Sequence, residues 1–290
     1  MAVKHTIDGI DSPASLQGAL RSAQYLADED LATAAYLALA LQKPLLLEGA
    51  PGVGKTEASK AIAAALLRDL IRLQCFEGID SASALYEWNY PRQMLAIRQA
   101  GEEVDVNIYG NAFLIERPLL QALNQGGQTV LLIDEIDRAD HEFEAFLLEY
   151  LSDFQISIPE KGTIVARQRP IVILTSNRTR DLHEALRRRC VYHWIDFPSA
   201  EQEEQIVMAR TSTVARNTAQ AIVAAVHRLR QENLAKPPGI AETIEWAEAA
   251  TVLNTLGTAW PEAFRQSIGV VLKDQDDIAF MQNRLEAVIG

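Results

Sequence analysis

The chain has 290 residues, 48% of them apolar, and its 27 lysines and arginines are outnumbered by 39 aspartates and glutamates, for a formal charge of −12. That apolar share suffices for two domains or one large one, whereas the excess of acid repels nucleic acid and anionic membranes and disfavours a duplex-DNA motor. No apolar stretch is long enough to span a bilayer, the opening Met1 to Asp8 lacks the basic start and apolar core of a signal peptide, and Cys75 and Cys190 form no C-x-x-C, so a cytoplasmic protein with reduced thiols is expected.

After a polar opening, residues 28–41 read as a helix that stops at Lys43-Pro44. Pro44 to Glu48 then reads as a short buried strand, and Thr56 to Leu67 as an alanine-rich amphipathic helix. Between them lies Gly49-Ala50-Pro51-Gly52-Val53-Gly54-Lys55-Thr56, which matches G-x-x-x-x-G-K-[ST]. In that pattern glycine amides cradle phosphates, the lysine neutralises them and the Ser/Thr hydroxyl holds Mg²⁺. At average composition a chain of this length carries the pattern by chance about once in a hundred. The strand-to-helix context adds unpaired N–H groups and a positive partial charge at the helix start, both suited to an anionic ligand.

Two further strands are expected at Leu70 to Cys75 and Val130 to Ile133. The section between them, 77–128, holds Tyr86-Glu-Trp-Asn-Tyr-Pro-Arg92 and is long for a simple crossover, so part of it reads as an insertion. The Val130 run closes on Asp134-Glu135. Asp134, at the end of a buried strand, can hold Mg²⁺ directly or through water, and Glu135 can orient and deprotonate an attacking water; the plain alternative is a solvated strand end. A helix from Asp140 to about Leu151 leads to a β-hairpin, Phe154 to Pro159 and Thr163 to Ala166 around Glu160-Lys161-Gly162. Ile171 to Leu174 is wholly apolar, as a central parallel strand should be, and runs into Thr175-Ser176-Asn177. Asn177 can bond to that water or to a γ-phosphate, or can cap an Asx turn. Tyr192 to Phe197 reads as the last strand. Helices alternating with such strands imply an α/β, doubly wound parallel sheet with its ligand at the carboxyl ends of the strands.

Arg187-Arg188-Arg189 precedes that last strand. The three arginines complement a helix C-terminus, or one of them reaches a neighbouring subunit's γ-phosphate as an arginine finger. After Pro198 the capping box Ser199-Ala-Glu-Gln202 opens a stretch of purely helical periodicity, broken at Lys236-Pro-Pro-Gly239 and Trp260-Pro261. The expected division is a nucleotide-binding core, 1–198, and a small all-helical lid, 199–290. The five histidines are scattered without metal-ligand spacing.

The order Gly49 to Thr56, Val130 to Glu135, Asn177, Arg189 and then a helical region resembles the AAA+ ATPases over nearly the whole chain. The long section before Asp134 and the Phe154 to Ala166 hairpin resemble the helix-2 insert and pre-sensor hairpin of the MoxR branch. Ile133-Asp-Glu-Ile-Asp-Arg-Ala139, Leu174-Thr-Ser-Asn-Arg178 and Leu186 to Ile195 resemble the MoxR-type ATPases that mature aerobic carbon monoxide dehydrogenase. The resemblance implies ATP and Mg²⁺ as cofactors, with Thr56 and Asp134 at the metal, and catalytic roles for Glu135, Asn177 and the finger Arg189. It implies adenine beside Tyr25-Leu26, and a homo-oligomeric ring, usually a hexamer, that remodels a client. It also implies a von Willebrand factor A domain adaptor and a client metalloenzyme, a molybdenum hydroxylase, with no nucleic acid partner. Such insertions face the pore in relatives, so the stretch Tyr86 to Arg92, with Trp88 and Tyr90, and the hairpin turn are expected at the client, although on residue type alone Trp88 and Tyr90 read more readily as core aromatics and the turn as merely exposed. Where relatives place a lid arginine this chain reads Gly239-Ile-Ala-Glu-Thr243, without one. A nucleic-acid motor would need a basic face, and a non-hydrolysing scaffold a crippled site, yet Lys55, Thr56, Asp134, Glu135 and Asn177 are all present.

Overall fold

The computed structural model describes residues 9–100, 107–282, 284 and 288; Met1 to Asp8, read above for a targeting signal, lie outside the described residues. Helix Glu29–Leu41 begins where Asp28 Oδ1 accepts the Leu31 amide at 2.7 Å and ends where Gln42 turns left-handed, with φ 52°. Pro44 cannot continue a helix, so the chain enters strand β1, Leu45–Gly49, buried at every position. Helix Lys55–Ala65 returns it to β2, Asp69–Gln74.

The insertion comes next. Short helix Ser81–Leu85, strand β3 (Tyr86–Trp88) and helix Tyr90–Ala100 precede β4 (Leu114–Glu116), which pairs antiparallel with β3. Helix Pro118–Gln125 leads to β5, Thr129–Asp134, whose six residues are all buried. Helix His141–Asp153, capped by Asp140, leads to the hairpin β6 (Gln155–Ile158) and β7 (Gly162–Val165). Then come β8 (Ile171–Ser176), helix Glu184–Arg189 and β9 (Val191–Ile195).

Five strands form one sheet in the order β2-β5-β8-β1-β9, and the β2–β5, β5–β8 and β8–β1 pairs are parallel. Parallel neighbours require crossovers, which the helices supply, so the expected parallel-sheet α/β fold is the observed one. In register, Glu48 lies across from Ser176, and Gln74 from Asp134. The carboxyl ends of β1, β2, β5 and β8 therefore gather at one edge of the sheet.

The core corrects one expectation. Trp88, expected at the client, is 6% exposed and packs edge-on against Tyr86 and Tyr109, with ring centroids 6.0 and 5.3 Å away. Alternation along β3 turns Glu87 outward and Trp88 inward. Tyr90, two residues past the strand end, is 63% exposed.

Among the described residues, the chain up to Gly49 together with Lys55–Trp194 forms one compact unit, and Ala50–Gly54 with the chain from Ile195 onward forms a second. The second unit is built from helices Ala200–Arg210, Arg216–Gln231, Ile240–Thr255, Trp260–Gln266, Ile268–Val271 and Gln275–Met281. Its start is the capping box: Ser199 Oγ accepts the Gln202 amide at 3.3 Å and Gln202 Oε1 accepts the Ser199 amide at 3.1 Å. Val207, Ile222, Val226, Leu229, Trp246 and Phe264 fill its core.

Beside that core sits a buried polar cluster. Glu203 is fully buried and accepts both Nη atoms of Arg230 at 2.6 and 2.8 Å, the Thr243 hydroxyl at 2.7 Å, and faces His227 Nε2 at 2.9 Å. Arg230 also stacks over the Phe197 ring at 4.1 Å. Removing one member of a buried pair strands the other charge, which costs about 3–5 kcal/mol. Glu203→Ala should therefore lower the free energy of urea unfolding of this unit by that order and its midpoint with it, whereas a change within error would show the cluster to be energetically idle.

Candidate functional site

Gly49 ends β1 and Lys55 opens the next helix, so the glycine loop lies between a buried strand and a helix N-terminus. Gly52 and Gly54 have φ of 79° and 93°, left-handed values that other residues rarely tolerate. Lys55 is 6% exposed and its Nζ donates to the Gly49 carbonyl at 2.8 Å. Burial lowers the Lys55 pKa from its ordinary value, opposed by the charges of Asp137, Asp134 and Glu135.

Thr56, one residue further along, faces the end of β5. Its Oγ1 donates to the Asp134 carboxylate, 3.1 and 3.3 Å from the two oxygens. A hydroxyl and a carboxylate so close are a hard oxygen pair suited to Mg²⁺, which keeps waters and phosphate oxygens in its remaining positions. Among the described residues no group of three His, Cys, Asp or Glu could hold a metal alone, and Mg²⁺ with a phosphate ligand needs none. The residues present thus fit the expected metal.

Asp134 is 1% exposed and saturated with donors. Besides Thr56, its Oδ1 accepts the Thr175 hydroxyl, and its Oδ2 accepts Arg72 Nε at 2.9 Å and Nη2 at 2.5 Å. Thr175 Oγ1 also accepts the Glu135 amide at 2.9 Å, which ties the end of β5 to β8. Glu135 itself is left-handed, with φ 55° and ψ 50°. For a residue other than glycine this backbone is costly and is found where neighbours enforce it, often at functional sites. The turn aims the Glu135 side chain toward β2, where Oε2 accepts Gln74 Nε2 at 3.0 Å and meets Arg138 Nη1 at 3.3 Å.

Asn177 follows β8. Its placement is set by Asp137, 2% exposed, whose carboxylate accepts the Asn177 amide at 3.2 Å, the Thr179 amide at 2.9 Å and the Thr179 hydroxyl at 2.7 Å. Sequence reasoning gave no part to Arg72, Gln74, Thr175 or Asp137. The alternation of Arg72 and Gln74 with Ile71 and Leu73 was the available signal, since it puts both polar side chains on one face of β2.

The three arginines separate. Arg187 Nη2 is 3.9 Å from the buried Glu48 carboxylate, and Arg188 pairs with Glu184 one turn back. Arg189 is exposed at the helix end, and among the described residues no ion pair holds it. The structure does not bring Arg189 into contact with Lys55, Thr56, Asp134 or Glu135. Tyr25 and Leu26 are half-buried just before the Asp28 cap, and burial, then Asp28 and Glu57, push the Tyr25 phenol above its ordinary pKa.

Within the second unit, the segment that lacks a lid arginine touches the glycine loop. The Ile240 amide donates to the Gly52 carbonyl at 3.0 Å. A Cβ built on Gly52 or on Gly239 would fall 2.7 Å from the other's Cα, so no side chain fits at either position without displacement. The nearest charged group of that segment is acidic, because Glu242 Oε2 accepts the Gly239 amide at 3.1 Å.

The family model for the ATPase family associated with various cellular activities (AAA) matches residues 45–198, more than half of the chain. The chain is 24% identical over 274 residues to the uncharacterized protein SH1500 of Staphylococcus haemolyticus, an overlap of 91% of this chain and 97% of that one. It is 27% identical over 139 residues to the chaperone protein ClpB of Wolinella succinogenes, which takes in 47% of this chain but spans only 14% of ClpB. Among solved structures, a RuvB mutant of Thermotoga maritima superposes with a TM-score of 0.55 at 18% identity, covering 91% of this chain and 76% of that chain. The Thermotoga maritima RuvB Holliday junction branch migration motor gives 0.51 at 17%, covering 93% and 75%. At such identities the likeness is one of fold.

Asp137 supplies the test of how this site is held. Asp137→Ala leaves the Asn177 amide and both Thr179 donors without their acceptor, at about 1–3 kcal/mol per buried group. Amide exchange at Asn177 and Thr179, followed by mass spectrometry, should quicken at least about fivefold for a loss of about 1 kcal/mol, while exchange in β5 stays slow. Unchanged exchange at 177–179 would show that the loop holds itself.

Proposed function

Because the chain belongs to the ATPase family associated with various cellular activities (AAA), we propose that it hydrolyses ATP with Mg²⁺ and, in a ring of like subunits, couples hydrolysis to remodelling of a client protein. The observation that carries this reading is the meeting of Thr56 with Asp134 at one end of the sheet, beside Glu135, directly after a phosphate-binding loop. Thr56 and Asp134 would hold Mg²⁺, which supplies charge neutralisation at the β- and γ-phosphate oxygens. Lys55 turns from the Gly49 carbonyl to the phosphates. Glu135 takes the proton of the attacking water once its carboxylate leaves Gln74, and Asn177 orients that water or the γ-phosphate. Backbone groups at Tyr25 and Leu26 receive the adenine.

The ring follows from Arg189. Arg188 and Arg189 are both exposed, but Arg188 pairs with Glu184 and Arg187 lies by Glu48, whereas among the described residues no ion pair holds Arg189. A cation that must reach a γ-phosphate from there acts on a neighbouring subunit, and six subunits is the expected closure. The helical region from residue 199 serves as the lid and moves as a body with nucleotide state. Client contact belongs to helix Tyr90–Ala100, where Tyr90, Met94, Leu95 and Ile97 are 63, 58, 56 and 46% exposed, together with the hairpin turn Glu160 to Gly162. Tyrosine and methionine are enriched at interfaces. The MoxR-like runs support a cytoplasmic ATPase that works with a von Willebrand factor A domain adaptor on a molybdenum hydroxylase. A charge of −12 speaks against nucleic acid as the client. Among the described residues no helix is long and apolar enough to cross a membrane.

Two experiments test the reading. Lys55→Ala removes the phosphates' counter-charge and should weaken ATP binding about ten- to a hundredfold, whereas Glu135→Gln should bind ATP normally and turn over at least about a hundredfold more slowly. Equal affinity of the two variants in equilibrium titrations would contradict the roles. Arg189→Ala alone should lose about a thousandfold in turnover, and mixing it with Lys55→Ala should restore part of the activity in rings that set an intact site against an intact arginine. No recovery in verified mixed oligomers would return Arg189 to the helix end.

A further inference from the structure

The Asp134 carboxylate already has a cation on it. Arg72 and Gln74 project from one face of the edge strand β2, in register with Leu132 and Asp134. Arg72 lays its Nε and Nη2 on Asp134 Oδ2 at 2.9 and 2.5 Å, and the same Nη2 donates to Gln74 Oε1. Gln74 Nε2 in turn holds Glu135 Oε2 at 3.0 Å. One chain of contacts therefore runs from the metal-binding carboxylate through Arg72 and Gln74 to the catalytic base.

An ionised carboxylate offers about four lone-pair sites. Here Oδ1 takes the Thr175 and Thr56 hydroxyls, and Oδ2 takes the guanidinium fork with Thr56 again. The hydroxyls can rotate to suit a metal. The fork cannot, since its donors are fixed in a plane, and its charge repels a second cation at contact distance. Its side chain is nevertheless 49% exposed, against 2% for that of Asp134, so it has solvent to swing into.

We propose that Arg72 is a positioning residue that contends with Mg²⁺ for Asp134, so that arrival of the metal with its nucleotide displaces the guanidinium. The proposal rests on the Mg²⁺-ATP reading above. The opposing possibility is an outer-sphere support, in which Arg72 stays on Asp134 and steadies it for the metal. The two differ in sign. A competitor weakens metal binding, and a support strengthens it.

The experiment is equilibrium binding of a fluorescent non-hydrolysable ATP analogue, in EDTA and across a Mg²⁺ titration, to wild type, Arg72→Gln and Arg72→Lys. Competition predicts that Arg72→Gln lowers the half-saturating Mg²⁺ concentration about three- to tenfold, the range expected for a half-exposed charged pair. It also predicts weaker binding of the analogue in EDTA, where Asp134 then faces the phosphates uncompensated. Arg72→Lys should fall between, because an ammonium keeps the charge but not the fork, and it serves should the Gln variant not fold. A half-saturating concentration that is unchanged or raised in both variants overturns the proposal while leaving the Mg²⁺-ATP reading intact. A wild type that fails to bind the analogue with or without Mg²⁺ overturns both.

Discussion

The buried carboxylate of Asp134 is the constraint on which the rest of the site depends. Desolvating an ion is costly, and the cost is offset only where donors meet it with good geometry. Asp134 recruits Thr56 from the helix after the glycine loop, Thr175 from β8 and Arg72 from β2. Three neighbouring strands, already paired through their backbones, and the phosphate-loop helix thus share that one group.

The acidic run that begins there divides its labour. Asp134 faces inward to hydroxyls and a guanidinium, whereas Glu135, forced left-handed, points across to Gln74. Asp137 turns the other way and gathers the amides of Asn177 and Thr179. Three carboxylates within four positions thus form the proposed metal ligand, the proposed base and the anchor of the loop after β8, and each is oriented by different partners. The Glu135 backbone strain is the local cost of sending consecutive side chains in different directions.

Much of this was legible in the sequence, for reasons that differ by element. The glycine loop is written in residue types because its backbone demands φ values that only glycine adopts freely, as at Gly52 and Gly54. The apolar runs at 130–133 and 171–174 declared buried strands and lie inside the strands observed, Thr129–Asp134 and Ile171–Ser176, while the strand read at Pro44 to Glu48 is observed one residue later, at Leu45–Gly49. Arg72 and Gln74 were passed over because two polar residues alternating on a strand read equally well as a solvated face. Trp88 was expected at a contact surface because an aromatic and basic run says nothing about which side of a strand faces inward; the pairing of β3 with β4 decides that. The Glu203, Arg230 and Thr243 cluster joins residues far apart in the chain, so no local period announces it. Gly239 looked like a missing arginine, and the structure adds that its backbone lies too near Gly52 for any side chain.

The central claim is that Mg²⁺-ATP binds at the carboxyl ends of β1, β5 and β8. Hydrogen exchange of the wild-type protein, with and without a non-hydrolysable ATP analogue and Mg²⁺, tests it most directly. The account predicts that the complex slows exchange at residues 49–56 and at the 134–135 and 175–177 strand ends, with no comparable change in β6 and β7. Protection elsewhere with none at 49–56, or no protection at saturating ligand, would contradict it.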